Sequence, residues 1–335
     1  MRAYRFDAFG LEHLRLVDAR PQTPAPGEIA LDVQAFSLNY RDLLVIKGLY
    51  NPKLKLPATP VSDGAGVVSA VGEGVTRVRV GDRVMSHFVA GWIDGPFRQQ
   101  YTATTLGTPG VGLAAQQVIL PAEAVVPIPA GYDFAQAATL PIAALTAWSA
   151  LVTVGDVRPE QTVLTLGTGG VSIFALQLAR ALGARVIITS SSDDKLARTR
   201  QLGAYGTINY RSRPDWEQAV LELTGGDGVD LTVETVGPGT LDQSLKATRA
   251  GGTVALLGAL TGRQGTVTTG LILMKRLRIV GIMVDSRAAF EALCRFLVEH
   301  RIQPAIDQQF RFEQLPEAFR CMEAGHHFGK IVVTA

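Results

Sequence analysis

The sequence predicts an α/β protein in which a doubly wound parallel sheet is inserted into a β-rich module. The texture changes near Pro127, and beyond that point six short β-branched runs alternate with helical or turn segments. At 335 residues, with 47% hydrophobic and 19% charged side chains, the chain holds more apolar material than one core usually takes, so two domains are expected. The same numbers exclude a disordered or collagen-like chain.

Taken in order, the first 130 residues are dense in Gly and Pro and broken into short β-rich runs such as Ile29 to Ala35, Gly66 to Val71 and Arg83 to Met85. Ala135 to Gly155 carries no charge over about the 20 residues a membrane helix needs. Pro141 sits in its middle and Thr139, Thr146, Ser149 and Thr153 dilute it, so it reads as a buried helix and loop. The six runs are Val163 to Leu166, Arg185 to Thr189, Thr207 to Asn209, Leu231 to Val233, Thr253 to Leu257 and Arg278 to Met283. Six is the strand count of a dinucleotide-binding sheet. Ala288 to His300 then reads as a helix and Lys330 to Thr334 as a strand, and this tail is expected to return to the first module.

Composition narrows the function classes. A net charge of +2, from 32 basic and 30 acidic side chains, gives no single-signed field for nucleic acid or an anionic membrane, so a small-molecule partner is expected. Two cysteines, Cys294 and Cys321, make neither a disulfide framework nor a four-thiolate zinc site. With an N-terminus that lacks an apolar signal core, this points to a reducing, cytoplasmic compartment.

The sharpest local signal is Thr162 to Ser172, where a strand runs into a glycine-rich turn and then an amphipathic helix. Gly167 permits the tight turn, Gly169 lets the backbone approach a pyrophosphate, and the free N–H groups of Thr168, Gly170 and Val171 at the helix start suit an anion. Ser172 stands where a third glycine is usual; a small residue there still permits close packing of helix on strand. After the second strand, where an acidic residue would accept the adenine ribose hydroxyls of NAD, the chain reads Ser190, Ser191, Ser192, Asp193, Asp194, Lys195. Hydroxyls and a lysine suit the extra phosphate of NADP, whereas a strand ending three residues later would put Asp193 in the NAD position.

The segments Asn39 to Asp42, Gly48 to Tyr50, Pro60 to Val68 and Gly81 to Val84, together with the glycine turn, resemble the medium-chain dehydrogenase/reductase superfamily over nearly the whole chain. The likeness is to its quinone-oxidoreductase branch more than to its zinc alcohol dehydrogenases. It implies a GroES-like catalytic domain over residues 1–126 and 296–335 and a Rossmann domain over 127–295. Where zinc members carry a cysteine and a Gly-His-Glu, this chain has Asn39 to Arg41 and Val61, Ser62 and Asp63, and Ser86 to Val118 contains no cysteine. A catalytic zinc needs three protein ligands and a structural one four, so no metal is expected. His87 reads as a hydrogen-bonded structural residue and His326 with His327 as a turn.

The resemblance further implies that Lys195 and Tyr210 touch the 2′-phosphate of NADPH. Thr235, Gly258, Leu260, Ser286 and Arg287, at or beyond the carboxyl ends of strands, would line ribose and nicotinamide, with Thr146 near the nicotinamide or bonded within its own helix. Without a metal, a pre-activated acceptor is favoured: a quinone or an α,β-unsaturated carbonyl spreads the incoming charge onto a distant oxygen. Tyr50, in a loop that relatives place over the nicotinamide, would donate to that oxygen or serve as an aromatic lid. Asn39 would orient substrate or the nicotinamide amide; Asp63 and Asp42 would hold the loop by pairing with Arg41 or with backbone N–H groups, or touch substrate. Gly91 to Pro96 and Gly107 to Gly112 would flank the substrate. The sixth strand would leave an open edge, so a two-fold homodimer is expected. Two other classes stay open: a medium-chain alcohol or carbonyl dehydrogenase, and a non-catalytic NADPH-binding protein of crystallin-like or RNA-binding type.

Overall fold

A computed structural model describes residues 1–335, and the chain forms two compact units, 1–145 with 284–335 and 146–283. The first opens with an antiparallel pair, β1 (Arg2–Phe6) and β2 (Leu14–Asp18). There follow β3 (Glu28–Ser37), helix α1 (Tyr40–Ile46), β4 (Asp63–Val71), β5 (Arg83–Ser86), β6 (Gln117–Pro121), β7 (Val125–Pro127) and α2 (Phe134–Ala138). The charge-free segment breaks into α2, a wide π-type turn at 140–144, the short α3 (Leu145–Trp148) and a second wide turn at 149–154. No helix is long and apolar enough to cross a membrane.

The second unit alternates strands and helices: β8 (Thr162–Leu166), α4 (Gly170–Ala181), β9 (Arg185–Ser190), α5 (Asp193–Gln201), β10 (Gly206–Asn209), α6 (Trp216–Leu223), β11 (Val229–Glu234), α7 (Leu241–Ala247), β12 (Thr248–Leu256), α8 (Thr269–Lys275) and β13 (Arg278–Gly281). The sheet order is β10-β9-β8-β11-β12-β13, all parallel. In sequence terms that is 3-2-1-4-5-6, the doubly wound order of dinucleotide-binding sheets. Every residue of β8 is buried because helices cover both faces, which is why its sequence runs apolar instead of alternating. One side of the sheet packs Leu164, Leu166, Ile187 and Ile208 against Trp216, Val220 and Ala247 from the following helices.

The chain then returns to the first unit through α9 (Arg287–Glu299), β14 (Ile306–Arg311), α10 (Leu315–Ala324) and β15 (Lys330–Thr334). There β14-β15-β3-β4-β5-β7 form the larger sheet, with β6 also paired to β3. The tail therefore joins the β-rich unit by direct strand pairing, Val332 lying opposite Ser37.

The unit boundaries fall nearer the centre of the sequence than the expected 126/127 and 295/296. Residues 127–145 stay with the β-rich unit because the Tyr132 hydroxyl bonds the Ile302 carbonyl and Ile142 N–H reaches Asp63. Residues 284–295 do so because the Arg287 N–H donates to the Trp92 carbonyl at 2.9 Å.

Candidate active site

Two groups of predicted residues assemble, one in each unit. In the parallel-sheet unit the chain leaves β8 through Gly167, whose φ of 72° suits glycine, and enters α4 at Gly170. No side chain caps this helix, so the amides of its first turn are open to an anion. Gly169 has an ordinary φ of −79°, and a Cβ built on it would meet no protein atom within 4 Å. Nothing in the protein itself therefore requires glycine there, and the open space fits a bound pyrophosphate. Thr168 is buried beside it and Val171 is half-buried in the first turn.

The missing third glycine has a structural explanation. Ser172 is buried and donates from Oγ to the Leu166 carbonyl at 2.6 Å, while Thr235 Oγ1 donates to the same oxygen at 2.7 Å. The two hydroxyls tie α4 and the end of β11 to the end of β8. Gly258, expected to face the cofactor, has a packing duty as well: a Cβ there would lie 1.9 Å from the Thr235 carbonyl carbon. Leu260 follows, 48% exposed. Beneath this turn the buried Glu234 accepts from the N–H groups of Val236 and Gly237 at 2.9 and 3.0 Å and from Thr240 Oγ1 at 2.9 Å. Sequence reasoning passed over Glu234, which organises the loop it did identify.

At the end of β9, Ser190 is buried and accepts from Ser192 N–H, Ser191 is half-buried, and Ser192 caps α5 by accepting from Lys195 N–H at 3.4 Å. Lys195 thus stands in the first turn of α5, and Tyr210, 41% exposed, follows β10, its N–H donating to the Ser190 carbonyl. Asp193 lies beyond the strand end, as the first residue of α5, and its carboxylate accepts from Asn209 Nδ2 at 2.9 Å. Thr146 is buried in α3.

In the β-rich unit a hydrogen-bonded cluster joins the ends of β3, β4 and β15. Asn39 caps α1: its N–H donates to Asp42 Oδ2 at 2.9 Å. Its Nδ2 donates to Asp63 Oδ2 at 2.8 Å, and its Oδ1 accepts from Lys330 Nζ at 2.8 Å. Lys330 is 3% exposed, also donates to the Leu38 carbonyl at 2.7 Å, and stands 4.0 Å from Asp63 Oδ2. Burial pushes the Asp63 carboxyl up to about 7, Lys330 pulling the other way; burial likewise lowers the Lys330 ammonium. Asp42 accepts from Ser62 Oγ at 2.6 Å and lies 3.9 Å from Arg41.

Arg41 is the hub of the neighbouring loop. Its Nη1 donates to Ser62 Oγ and its Nη2 to the Thr108 carbonyl at 2.8 Å. The guanidinium carbon lies 4.4 Å from the Tyr50 ring centre and 4.7 Å from that of Phe88. The structure thus brings Asn39, Asp63 and Asp42 together and fixes Tyr50 through Arg41. Arg41, expected from sequence only as a partner of Asp42 or Asp63, lies 3.9 Å from Asp42, whereas Lys330 was not singled out, since a lysine opening a strand reads as an ordinary solvated cation.

Ser286 and Arg287 fall in the β-rich unit and are occupied there. Ser286 caps α9 by accepting from Ala289 N–H at 3.2 Å. Arg287 bonds Glu123 and lies 3.6 Å from Glu291, which Arg77 also holds at 3.0 Å. The guanidinium expected to face nucleotide is therefore balanced inside an ion-pair cluster that anchors α9. His87 is fully buried, and its Nε2 lies 3.2 Å from the Trp92 carbonyl.

The zinc that some relatives hold does not fit these residues. No group of three or more His, Cys, Asp or Glu side chains is placed to bind a metal ion. Ser62 already bridges Arg41 and Asp42, and the Lys330 ammonium stands beside the hydrogen-bonded Asn39 and Asp63.

A doubly wound sheet with a glycine turn between its first strand and helix, set into a GroES-like β unit, is the architecture of nicotinamide-dependent oxidoreductases of the medium-chain type. Residues 25–130 match the Alcohol dehydrogenase GroES-like domain family and residues 170–299 the Zinc-binding dehydrogenase family. The chain is 41% identical over 319 residues to a zinc-type alcohol dehydrogenase-like protein of Schizosaccharomyces pombe, covering 93% of this chain and 92% of that one. Among solved structures, an NAD-dependent alcohol dehydrogenase superposes with a TM-score of 0.91 at 35% identity, covering both chains in full. The Escherichia coli quinone oxidoreductase complexed with NADPH does so with a TM-score of 0.87 at 25% identity, again over the whole of both chains. The chain belongs to the medium-chain dehydrogenase/reductase superfamily.

Proposed function

We propose that the protein is an NADPH-dependent reductase of quinones or α,β-unsaturated carbonyls that works without zinc. The observation that carries this reading is the Asn39–Asp63–Lys330 cluster: a hydrogen-bonded set with its own buried cation stands where zinc relatives have ligands. Zinc would polarise an isolated carbonyl or acidify an alcohol, and these side chains offer no such set of donors. A conjugated acceptor needs less, since its charge develops on an oxygen remote from the carbon that takes hydride. The likeness to the NADPH-complexed quinone oxidoreductase supports the same choice.

The amides at the start of α4 would hold the pyrophosphate. Lys195, Ser191 and Tyr210 would hold the 2′-phosphate; Asp193, turned to Asn209, is not at the strand end where NAD selection needs it. Thr235, Gly258 and Leu260 would line ribose and nicotinamide. When bound, NADPH supplies the hydride. Asn39 and Tyr50 would donate hydrogen bonds to the acceptor oxygen, the Tyr50 ring held by its stacking on Arg41.

The names of the S. pombe relative and of the NAD-dependent structural neighbour favour a second reading, an alcohol dehydrogenase. Steady-state assays of NADPH and NADH against quinones, enones, aldehydes and simple alcohols separate the two. Quinones or enones should be reduced with NADPH preferred, and Lys195→Ala should lower kcat/KM for NADPH by about ten- to a hundredfold while leaving NADH almost unchanged, a loss typical of a charged hydrogen bond to phosphate. Turnover of simple alcohols with NAD, or an unchanged coenzyme preference in Lys195→Ala, would favour the alternative.

We further propose a cytoplasmic homodimer joined along β13. That strand pairs only β12, and α8, just before it, exposes Leu273 and Met274 at 75% and 81%. Sedimentation equilibrium should give twice the chain mass, and Leu273→Glu with Met274→Glu should give the chain mass. A wild-type monomer would refute the pairing.

A further inference from the structure

Lys330 opens the last strand, 291 residues after Asn39, yet the pairing of β15 with β3 brings its ammonium to the Asn39 side chain. The two partners of that carboxamide differ in kind. A lysine nitrogen donates to Leu38 O and Asn39 Oδ1, while a carboxylate accepts from Nδ2. Reversing the amide would set two donors face to face on one side and two acceptors on the other. The orientation is therefore dictated by chemistry, and one Nδ2 hydrogen goes to Asp63 while the second is left over. A cation on the oxygen of an amide also draws density from its nitrogen and strengthens the remaining N–H as a donor.

We propose that Lys330 is a positioning residue: it locks and polarises the Asn39 carboxamide so that its second Nδ2 hydrogen is presented to the acceptor oxygen that gains charge during reduction. Asn39 is the group that touches substrate, and Lys330 acts through it. The last clause of this inference rests on the proposed reductase activity; the lock itself does not. The setting supports a dedicated role, because Lys330 and Asp63 are both almost wholly buried and Asp63 Oδ1 has no hydrogen-bond partner. Holding two such groups in a protein interior is costly where stability alone is served.

The sequence contains three asparagines, Asn39, Asn51 and Asn209, so the full-length protein labelled with 15N-asparagine shows three side-chain amide pairs. The Asn39 pair is the one missing from Asn39→Ser. In wild type its two hydrogens should be widely separated in shift and slow to exchange with water. Lys330→Met should bring them together and speed their exchange, and should lower kcat for the best quinone or enone by about tenfold or more with NADPH affinity by fluorescence titration unchanged. Because Lys330→Met leaves Asp63 buried without its cation, the paired change Asp63→Leu with Lys330→Met supplies a charge-neutral interior and keeps the count of asparagine pairs at three for the same spectra and rates. In an Asn39→Ser background, Lys330→Met should have no further effect on kcat. Unchanged Asn39 signals in both Lys330 variants overturn the lock. Altered signals with unchanged kcat overturn its catalytic role. A wild type that reduces none of the acceptors refutes the reductase reading and that role with it, while the spectra still decide the lock.

Discussion

Gly169→Val is expected to weaken NADPH binding by about a hundredfold or more while the protein keeps its fold. The φ and ψ of −79° and −179° are open to any residue, and a Cβ would meet no protein atom within 4 Å, so the valine has room in the protein. As a poorer N-cap it costs about 1 kcal/mol at most. The methyl groups would instead fill the space in front of the α4 amides, where an anion must come within hydrogen-bond distance; losing two or three charge-assisted bonds amounts to about 3 kcal/mol, or a hundredfold. Fluorescence titration with NADPH and a thermal melt check both halves. Tight binding by Gly169→Val would mean that the glycine turn is not the pyrophosphate site.

The second large effect concerns acid stability. His87 is buried, and because a carbonyl can only accept, its Nε2 carries the hydrogen bonded to Trp92 O; Nδ1 is left without a partner. Burial lowers this imidazole from 6.5 to about 4, helped by Arg287 and Arg77 nearby. The folded protein thus holds His87 neutral while the unfolded chain takes up a proton near 6.5. Stability from this residue is complete above pH 6.5 and is lost as pH falls towards 4, to a total of about 3 kcal/mol. Asp63 works in the opposite sense throughout this range, since its carboxyl, raised from 3.8 to about 7, favours the folded state as pH drops below 7. Urea unfolding of wild type and His87→Gln at several pH values isolates the histidine: between pH 6.5 and 4 wild type should lose about 3 kcal/mol more than the variant. Parallel pH profiles would show that His87 is not held neutral.

Much of the nucleotide-binding unit was legible in the sequence because its signals are local. All six strands lie where the β-branched runs put them, and strand, glycine turn and helix follow one another without interruption from Thr162 to Ala181. Lys330 to Thr334 was also readable as a strand, but not what its first residue does. A lysine before an apolar run usually keeps its charge in water, and only the pairing of β15 with β3 buries it against Asn39 and Asp63. Arg287 shows the converse. Its place just after β13 points to nucleotide, yet its partner Glu123 lies 164 residues away, and that ion pair holds it in the other unit. Ser172 reads in the sequence only as a small residue in place of the third glycine; its bond to the Leu166 carbonyl shows why serine serves there.

The most direct measurement uses NADPH carrying deuterium at both C4 positions of the nicotinamide, with an enone as acceptor and protein stripped of metal by a chelator. Hydride transfer to a conjugated acceptor predicts deuterium on the β-carbon of the saturated product and a solvent hydrogen on the α-carbon, at the rate of untreated protein. Loss of turnover on chelation with recovery on adding zinc, or a product without deuterium, would contradict it.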